Sequence, residues 1–162
     1  MSAVVHPFPP LYDADSRVLI LGSFPSVKSR ESMFFYGHPQ NRFWRVTAAL
    51  LGCAVPQTVE EKSAMLHSRH IALWDVISSC EINGSSDSSI KNARPNDIRP
   101  ILAEGRIAAV FCNGQTAYRL YCRYLEPLCG REAVCLPSTS PANATFSLER
   151  LCEHWRIITQ YL

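Results

Sequence analysis

Two polar loops hold most of the side chains in this sequence that could do chemistry. The first, Gly22-Ser-Phe-Pro-Ser26, follows the apolar run Val18-Leu-Ile-Leu21 and leads on to Tyr36-Gly-His-Pro-Gln-Asn-Arg-Phe-Trp44. The second, Leu136-Pro-Ser-Thr-Ser-Pro-Ala-Asn143, follows Ala133-Val-Cys135. Strand ends that open into Gly-, Pro- and hydroxyl-rich loops are where open α/β sheets place ligands. Brought together, these loops would form a pocket with an aromatic wall and a rim of hydroxyls and amides. Such a pocket suits chemistry on a nucleobase drawn out of a DNA duplex.

Within the first loop, Tyr36 is an aromatic at a turn, placed to stack on a base. Asn41 is expected in the first turn of a helix that starts at Pro39 and is capped by His38. Its amide can hold a water or a base edge, or it can be a structural hydrogen bond tying two loops together. His38 reads as a helix cap before it reads as a catalyst. Phe43 and Trp44 are expected in the core. In the second loop, Pro137, Ser138, Thr139, Ser140, Pro141 and Asn143 make a stiff, hydroxyl-rich turn. Small hydroxyls can approach DNA phosphates without reading sequence; a rigid connector to the last helix is the plainer reading. Asp75, after Leu73-Trp74, ends a strand on the same side, either as a loop anchor or facing the site.

Several other chemistries are disfavoured. Gly22-Ser-Phe-Pro-Ser-Val-Lys28-Ser29 approaches the phosphate-cradling G-x-x-x-x-G-K-[ST] loop. Val27 stands where the second glycine belongs, and Pro25 removes one N–H from the cradle. Five histidines without paired spacing give no metal motif, and neither H-E-x-x-H nor a deaminase signature is present. A G-x-S-x-G nucleophile elbow is absent. The seven cysteines contain no C-x-x-C. Cys80, Cys112 and Cys135 lie in or beside apolar runs, so the thiols read as reduced core residues rather than cluster ligands. No metal or cofactor is expected.

The elements that must position these residues follow from hydrophobic patterning. Four short apolar runs, Arg17–Phe24, Ile71–Ile77, Ile107–Asn113 and Ala133–Leu136, read as buried strands. Helical patterns cover Pro39–Leu51, Thr58–Ser68, Asn96–Glu104, Gln115–Leu125 and Ser147–Tyr161, with Asn96 as a cap and Pro100 as a distortion inside its helix. The alternation predicts an α/β fold, a three-layer α/β/α sandwich around a mostly parallel sheet of about four strands. The polar stretch Asn83–Pro95 is expected to be an exposed loop on the ligand side.

At 162 residues, 47% hydrophobic and 19% charged, the chain is expected to form one globular domain, residues 1–162. No apolar run is long enough to span a bilayer. The first residues lack the charged and apolar regions of a signal peptide, so an intracellular, cytoplasmic protein is expected. The net charge of +2 is small, but Arg17, Lys28, Arg30, Arg42 and Arg45 cluster around the first loop against Glu31 alone. A basic face there is compatible with phosphate contacts.

On these motifs the chain resembles the uracil-DNA glycosylase superfamily, and within it the hypoxanthine-DNA (deoxyinosine) glycosylase branch. The resemblance covers Leu19–Ser26, Tyr36–Trp44, Leu73–Val76, Asn83–Asp97 and Leu136–Asn143. It implies hydrolysis of the N-glycosidic bond of a deaminated base in DNA, without a cofactor, a membrane or an obligate protein partner, by a monomer. Mismatch-specific relatives read Gly-Ile-Asn-Pro-Gly in the first motif, with the Asn positioning water. Here Phe24 takes that place, which implies that Asn41 takes over as the catalytic amide. Gly22, Ser23, Phe24, Tyr36 and His38 then surround the base, while Lys28 and the Pro137–Asn143 loop hold DNA. No lysine is placed as a Schiff-base nucleophile, so strand cleavage is not expected. The residues alone do not rank hypoxanthine against uracil or xanthine; a uracil- or mismatch-specific enzyme and a lesion binder without turnover are the alternatives.

Overall fold

A computed structural model describes residues 2–162. Four parallel strands form its centre, in the order β3 (Ile71–Asp75), β2 (Val18–Gly22), β6 (Ala109–Asn113), β7 (Ala133–Leu136). Every residue of β2 and β3 is buried, as expected for strands covered on both faces. Helices α3 (Val59–Ser68) and α5 (Gln115–Tyr124) pack on this sheet, the former on β3 and the latter on β6 and β7. Helices α2 (Phe43–Leu51) and α7 (Leu148–Trp155) pack on each other, with Phe43 and Trp155 edge to face at 5.8 Å. This is the expected layered α/β arrangement.

The chain leaves β2 for β3 on one side and later returns to β6 on the other. The gap between the carboxyl ends of β2 and β6 is therefore a topological switch point, the position where such sheets bind ligands. Gly22 pairs with Asp75 across β2 and β3, and Asn113 pairs with Leu136 across β6 and β7. All four residues end their strands on the same edge.

The structure departs from the sequence expectations in several places. Ile71–Ile77 is not one strand: after Asp75 the chain turns at Val76 into β4 (Ile77–Glu81). This strand joins a second, antiparallel sheet in the order β1 (Val4–Val5), β4, β5 (Lys91–Pro95). The expected loop Asn83–Pro95 thus ends in a strand, preceded by a single turn of 3-10 helix over Asp87–Ser89. Helix α1 (Val27–Ser32) was not expected, although Ser26 caps it by accepting from the Ser29 N–H at 3.2 Å. Helix α4 begins at Arg99 and runs to Glu104, with Pro100 in its first turn, where a missing N–H is harmless. Asn96 is not its cap; its side chain donates to the Asp75 carbonyl instead. A short helix, α6 (Glu126–Cys129), follows α5, and α7 passes into 3-10 turns over Arg156–Tyr161. All seven cysteines are free; Cys80 and Cys112 are buried, but Cys135 is exposed on β7 rather than in the core.

Candidate active site

A cavity of about 320 Å³ opens at the switch point. That is at the small end of ligand pockets and of a size for one heterocyclic base. Its lining joins the first loop, Gly22 to Ser26, with Tyr36, His38 and Asn41, the strand ends Asp75 and Asn113, the turn residues Ser85 and Asp87, and Ser138 to Ala142. The two loops singled out in the sequence therefore meet.

Asn41 is the junction. Its Oδ1 accepts the Phe43 N–H at 2.9 Å and the Thr139 hydroxyl at 2.8 Å. The Phe43 amide can only donate, so the orientation of the carboxamide is fixed. Both oxygen lone pairs are engaged, and among the described residues Nδ2 has no hydrogen-bond partner. Asn41 thus ties the loops together and presents an N–H donor in a residue that lines the cavity. It does so from the turn before α2, not from inside the helix: α2 begins at Phe43, and His38 uses Nδ1 to accept the Gln40 N–H at 3.1 Å. The sequence reading of Pro39 as the first helical residue fails because this Asx turn holds the backbone out of the helix until Asn41 has been passed.

Thr139 is fully buried. Its hydroxyl donates to Asn41 and accepts from Asn113 Nδ2 at 3.0 Å, its N–H donates to Asn113 Oδ1 at 3.0 Å, and its carbonyl accepts the Arg42 N–H. It is therefore not free to grip a phosphate, as the sequence reading supposed; it positions Asn41. Asn113 was not singled out in the sequence, and nothing local marks it apart from its place at a strand end. Gly114 beside it has φ +98°, and a Cβ there would lie 3.1 Å from Ser138 Cβ, so the second loop can close on β6 only over glycine.

Arg42 staples the same loop. Its guanidinium donates to the carbonyls of Ser140 at 2.8 Å, Asn143 at 2.9 Å and Phe146. Arg30 likewise donates to the Pro25 and Gly84 carbonyls, and Arg17 to that of Tyr161. Three of the five cations assigned to a basic face are thus structural. Lys28 is exposed, off the cavity, and 3.6 Å from Glu31. The Val27 N–H is taken by the Ser85 hydroxyl, so no phosphate cradle forms there. In the second loop Ser138 and Ser140 line the cavity, each accepting a backbone N–H two residues on. Pro137 and Asn143 lie off it; Asn143 donates to the Ser138 carbonyl within the loop. Pro141 lines the rim.

The floor is acidic and aromatic. Phe24 is buried and lines it. Tyr36 has φ +51° and lies stacked on Phe43 at 4.2 Å, and its buried hydroxyl donates to no described group. Burial, and secondarily the Asp75 charge, push the Tyr36 phenol well up against the opposing Asn113 amide, so it remains protonated and can donate. Asp75 is buried, and its Oδ2 accepts from His6 Nε2 at 2.7 Å. His6, contributed by the segment after β1, was not foreseen: 69 residues separate the two side chains. A Cβ on Gly22 would stand 2.5 Å from Asp75 Oδ1 and 3.3 Å from the Tyr36 hydroxyl, so only glycine fits there.

Asp87 is the other acid of the lining, and its Oδ1 accepts from the Ser23 hydroxyl at 2.8 Å. Asp87 is exposed as a residue, but crowding of its carboxyl at the cavity raises its pKa, the Ser23 bond opposing and Asp75 reinforcing the rise. A carboxyl with its folded pKa above the unfolded value favours the fold at low pH, and that contribution is lost as pH rises through the folded pKa. Asp87→Asn keeps an acceptor for Ser23 but carries no charge. We expect its Tm to exceed that of the wild type at pH 7 to 8, the gap closing as pH falls toward the ordinary value of 3.8. Thermal unfolding of both proteins across that range tests this; a pH-independent difference would contradict it.

Residues 9–162 match the Uracil DNA glycosylase superfamily. The chain belongs to that superfamily. It is 34% identical over 160 residues to a hypoxanthine DNA glycosylase of Methanosarcina acetivorans, covering 95% of this chain and 97% of that protein. A hypoxanthine DNA glycosylase of Methanosarcina barkeri is 34% identical over 90 residues, 55% of this chain and 57% of that protein. A solution NMR structure of a candidate uracil DNA glycosylase from Methanosarcina acetivorans superposes with a TM-score of 0.80 at 34% identity, over 94% of each chain. As a member of this superfamily the chain is a DNA glycosylase, and DNA is its substrate. No described helix is long and apolar enough to cross a membrane. No group of three or more described His, Cys, Asp or Glu side chains is arranged to hold a metal ion.

Proposed function

We propose that this DNA glycosylase releases hypoxanthine from deoxyinosine in DNA, as a monofunctional, single-domain, intracellular monomer of base excision repair. The observation that carries the reading is the Asn41 carboxamide, locked by Phe43 and Thr139 so that only its N–H side remains free at a base-sized cavity. The names and identity of the two Methanosarcina relatives support hypoxanthine as the base.

Stretching the glycosidic bond makes the sugar cationic and the departing purine anionic. An amide donor fixed before the reaction stabilises the anion without reorganising. With both Oδ1 lone pairs engaged, Asn41 does not take a proton from water; it acts on the leaving base. An oxocarbenium-like centre needs a held water rather than a strong base. The hydroxyls of Ser138 and Ser140 stand on the rim where DNA phosphates would pass, and those phosphates favour the sugar cation. Gly22, Ser23, Phe24, Tyr36 and His38 surround the extruded base. Lys28, Pro137, Pro141 and Asn143 lie where the duplex flanks the cavity; Thr139 contributes by holding Asn41. Extrusion costs a few kcal/mol, less for a weakly paired inosine.

The test is a set of duplex and single-stranded oligonucleotides, each with one inosine, uracil or xanthine, treated with protein and then alkali. The expected result is alkali-dependent cleavage at inosine with free hypoxanthine released, and no strand break before alkali. Absence of base release from every lesion, with binding retained, would replace this reading with that of a lesion binder.

A further inference from the structure

We propose that Asp75 and Tyr36 together read the lactam edge of the base, and so set the preference for hypoxanthine over adenine. This rests on the reading of the cavity as the base pocket.

Three observations carry it. Tyr36 lines the cavity, and its buried hydroxyl donates to no described group; the Asn113 amide beside it acts on the phenol only as a donor. A buried hydroxyl without an acceptor for its proton is unfavourable unless something else supplies one. Asp75 uses one oxygen for His6 at 2.7 Å and, among the described residues, leaves Oδ1 unbonded at the cavity lining. Both free oxygens border the same space above Gly22, where an ideal Cβ would meet Oδ1 at 2.5 Å and the phenol at 3.3 Å. The floor therefore offers one donor beside one acceptor, and the bare Gly22 keeps a side chain from filling the gap between them.

The 6-oxo edge of hypoxanthine is the complement. Its O6 accepts, from Tyr36, and its N1–H donates, to Asp75. Adenine presents the reverse, an N6 amino donor and an N1 acceptor. With adenine in the same pose the carboxylate would face a lone pair and the phenol an N–H, leaving buried groups unpaired. Pockets built on such bonds reject the mismatched edge far more strongly than apolar pockets do. Every deaminated base with a C=O beside an N–H shares the recognised edge, so this pair separates lesions from adenine rather than ranking lesions. His6 is a positioning residue, since it holds the carboxylate turned so that Oδ1 is free.

The experiment compares wild type, Tyr36→Phe and Asp75→Asn in two readouts. One is single-turnover base release from inosine and adenine in matched oligonucleotides. The other is equilibrium binding of free hypoxanthine, adenine and 1-methylhypoxanthine, which lacks the N1–H. Wild type should bind hypoxanthine at least about 10²-fold more tightly than either of the others. Tyr36→Phe keeps the ring and removes only the hydroxyl. Release from inosine should fall about 10-fold while Tm holds or rises, an outcome a purely structural hydroxyl would not give. Asp75→Asn can turn either end of its amide to the base, so the hypoxanthine-to-adenine preference should narrow about 10–100-fold. Unchanged preference in both variants, with hypoxanthine still released, would overturn this inference and leave the proposed function standing. If wild type released no hypoxanthine, the proposed function would fall, and the free-base measurement would still decide this inference: equal binding of the three bases would overturn it.

Discussion

Replacing Asn41 by alanine is expected to slow single-turnover release of hypoxanthine by roughly 10²–10³-fold, the loss typical of one preorganised donor. The protein should remain folded. Thr139 and the Phe43 N–H would lose their acceptor, and about 1–3 kcal/mol of stability would go with it. The informative companion is Asn41→Asp. A carboxylate would still accept from Phe43 and Thr139, so the loops would stay joined. It would lack the N–H and would set a negative charge where the departing base also becomes negative. Its rate should be no higher than that of the alanine variant. An Asn41→Asp protein that kept most of its activity would mean that position 41 works as an acceptor or base, against the geometry of its oxygen.

Gly22→Ala should lower hypoxanthine release by about 10²-fold or more with only a modest change in Tm, the range expected when a base-reading contact is displaced. The added methyl would stand 2.5 Å from Asp75 Oδ1, a distance that cannot persist. Backbone shift is resisted because Gly22 is the last residue of a strand paired on both flanks of its run, with Asp75 directly opposite. Asp75 must move instead, straining its bond to His6, and the methyl would occupy the space over the cavity floor. Single-turnover kinetics and thermal unfolding check both halves. An active Gly22→Ala protein would show that the floor does not touch the base.

Much of this architecture was legible in the chain because parallel core strands announce themselves. Val18–Leu21 and Ile107–Cys112 are unbroken apolar runs, each ended by a residue that cannot continue them, Gly22 and Asn113. The second sheet was not legible for the opposite reason. β4 reads Ile-Ser-Ser-Cys-Glu and β5 reads Lys-Asn-Ala-Arg-Pro, the latter with four of its five residues exposed. Their backbone pairing stabilises them, and their side chains give no period to detect.

The site divided along the same line. Asn41, Tyr36 and the hydroxyl loop were visible because a local motif displays them. Arg42 looked like surface charge in a basic neighbourhood, yet it holds carbonyls about a hundred residues away, at Ser140 and Asn143. His6, Asn113 and Asp87 were invisible as site residues because each acquires its meaning from a partner remote in sequence. Helix boundaries failed where side chains competed for the backbone. Asn41 takes the Phe43 N–H, and the α2 helix can start only after it.

The most direct test is a crystal structure of the protein bound to duplex DNA carrying 2′-fluoro-2′-deoxyinosine, whose sugar resists cation formation and so keeps the base attached. The account predicts the inosine base everted into the cavity, with Asn41 Nδ2 within about 3.2 Å of a purine acceptor and the 6-oxo edge over Gly22. An inosine left stacked in the duplex, or seated with Asn41 out of reach, would contradict it.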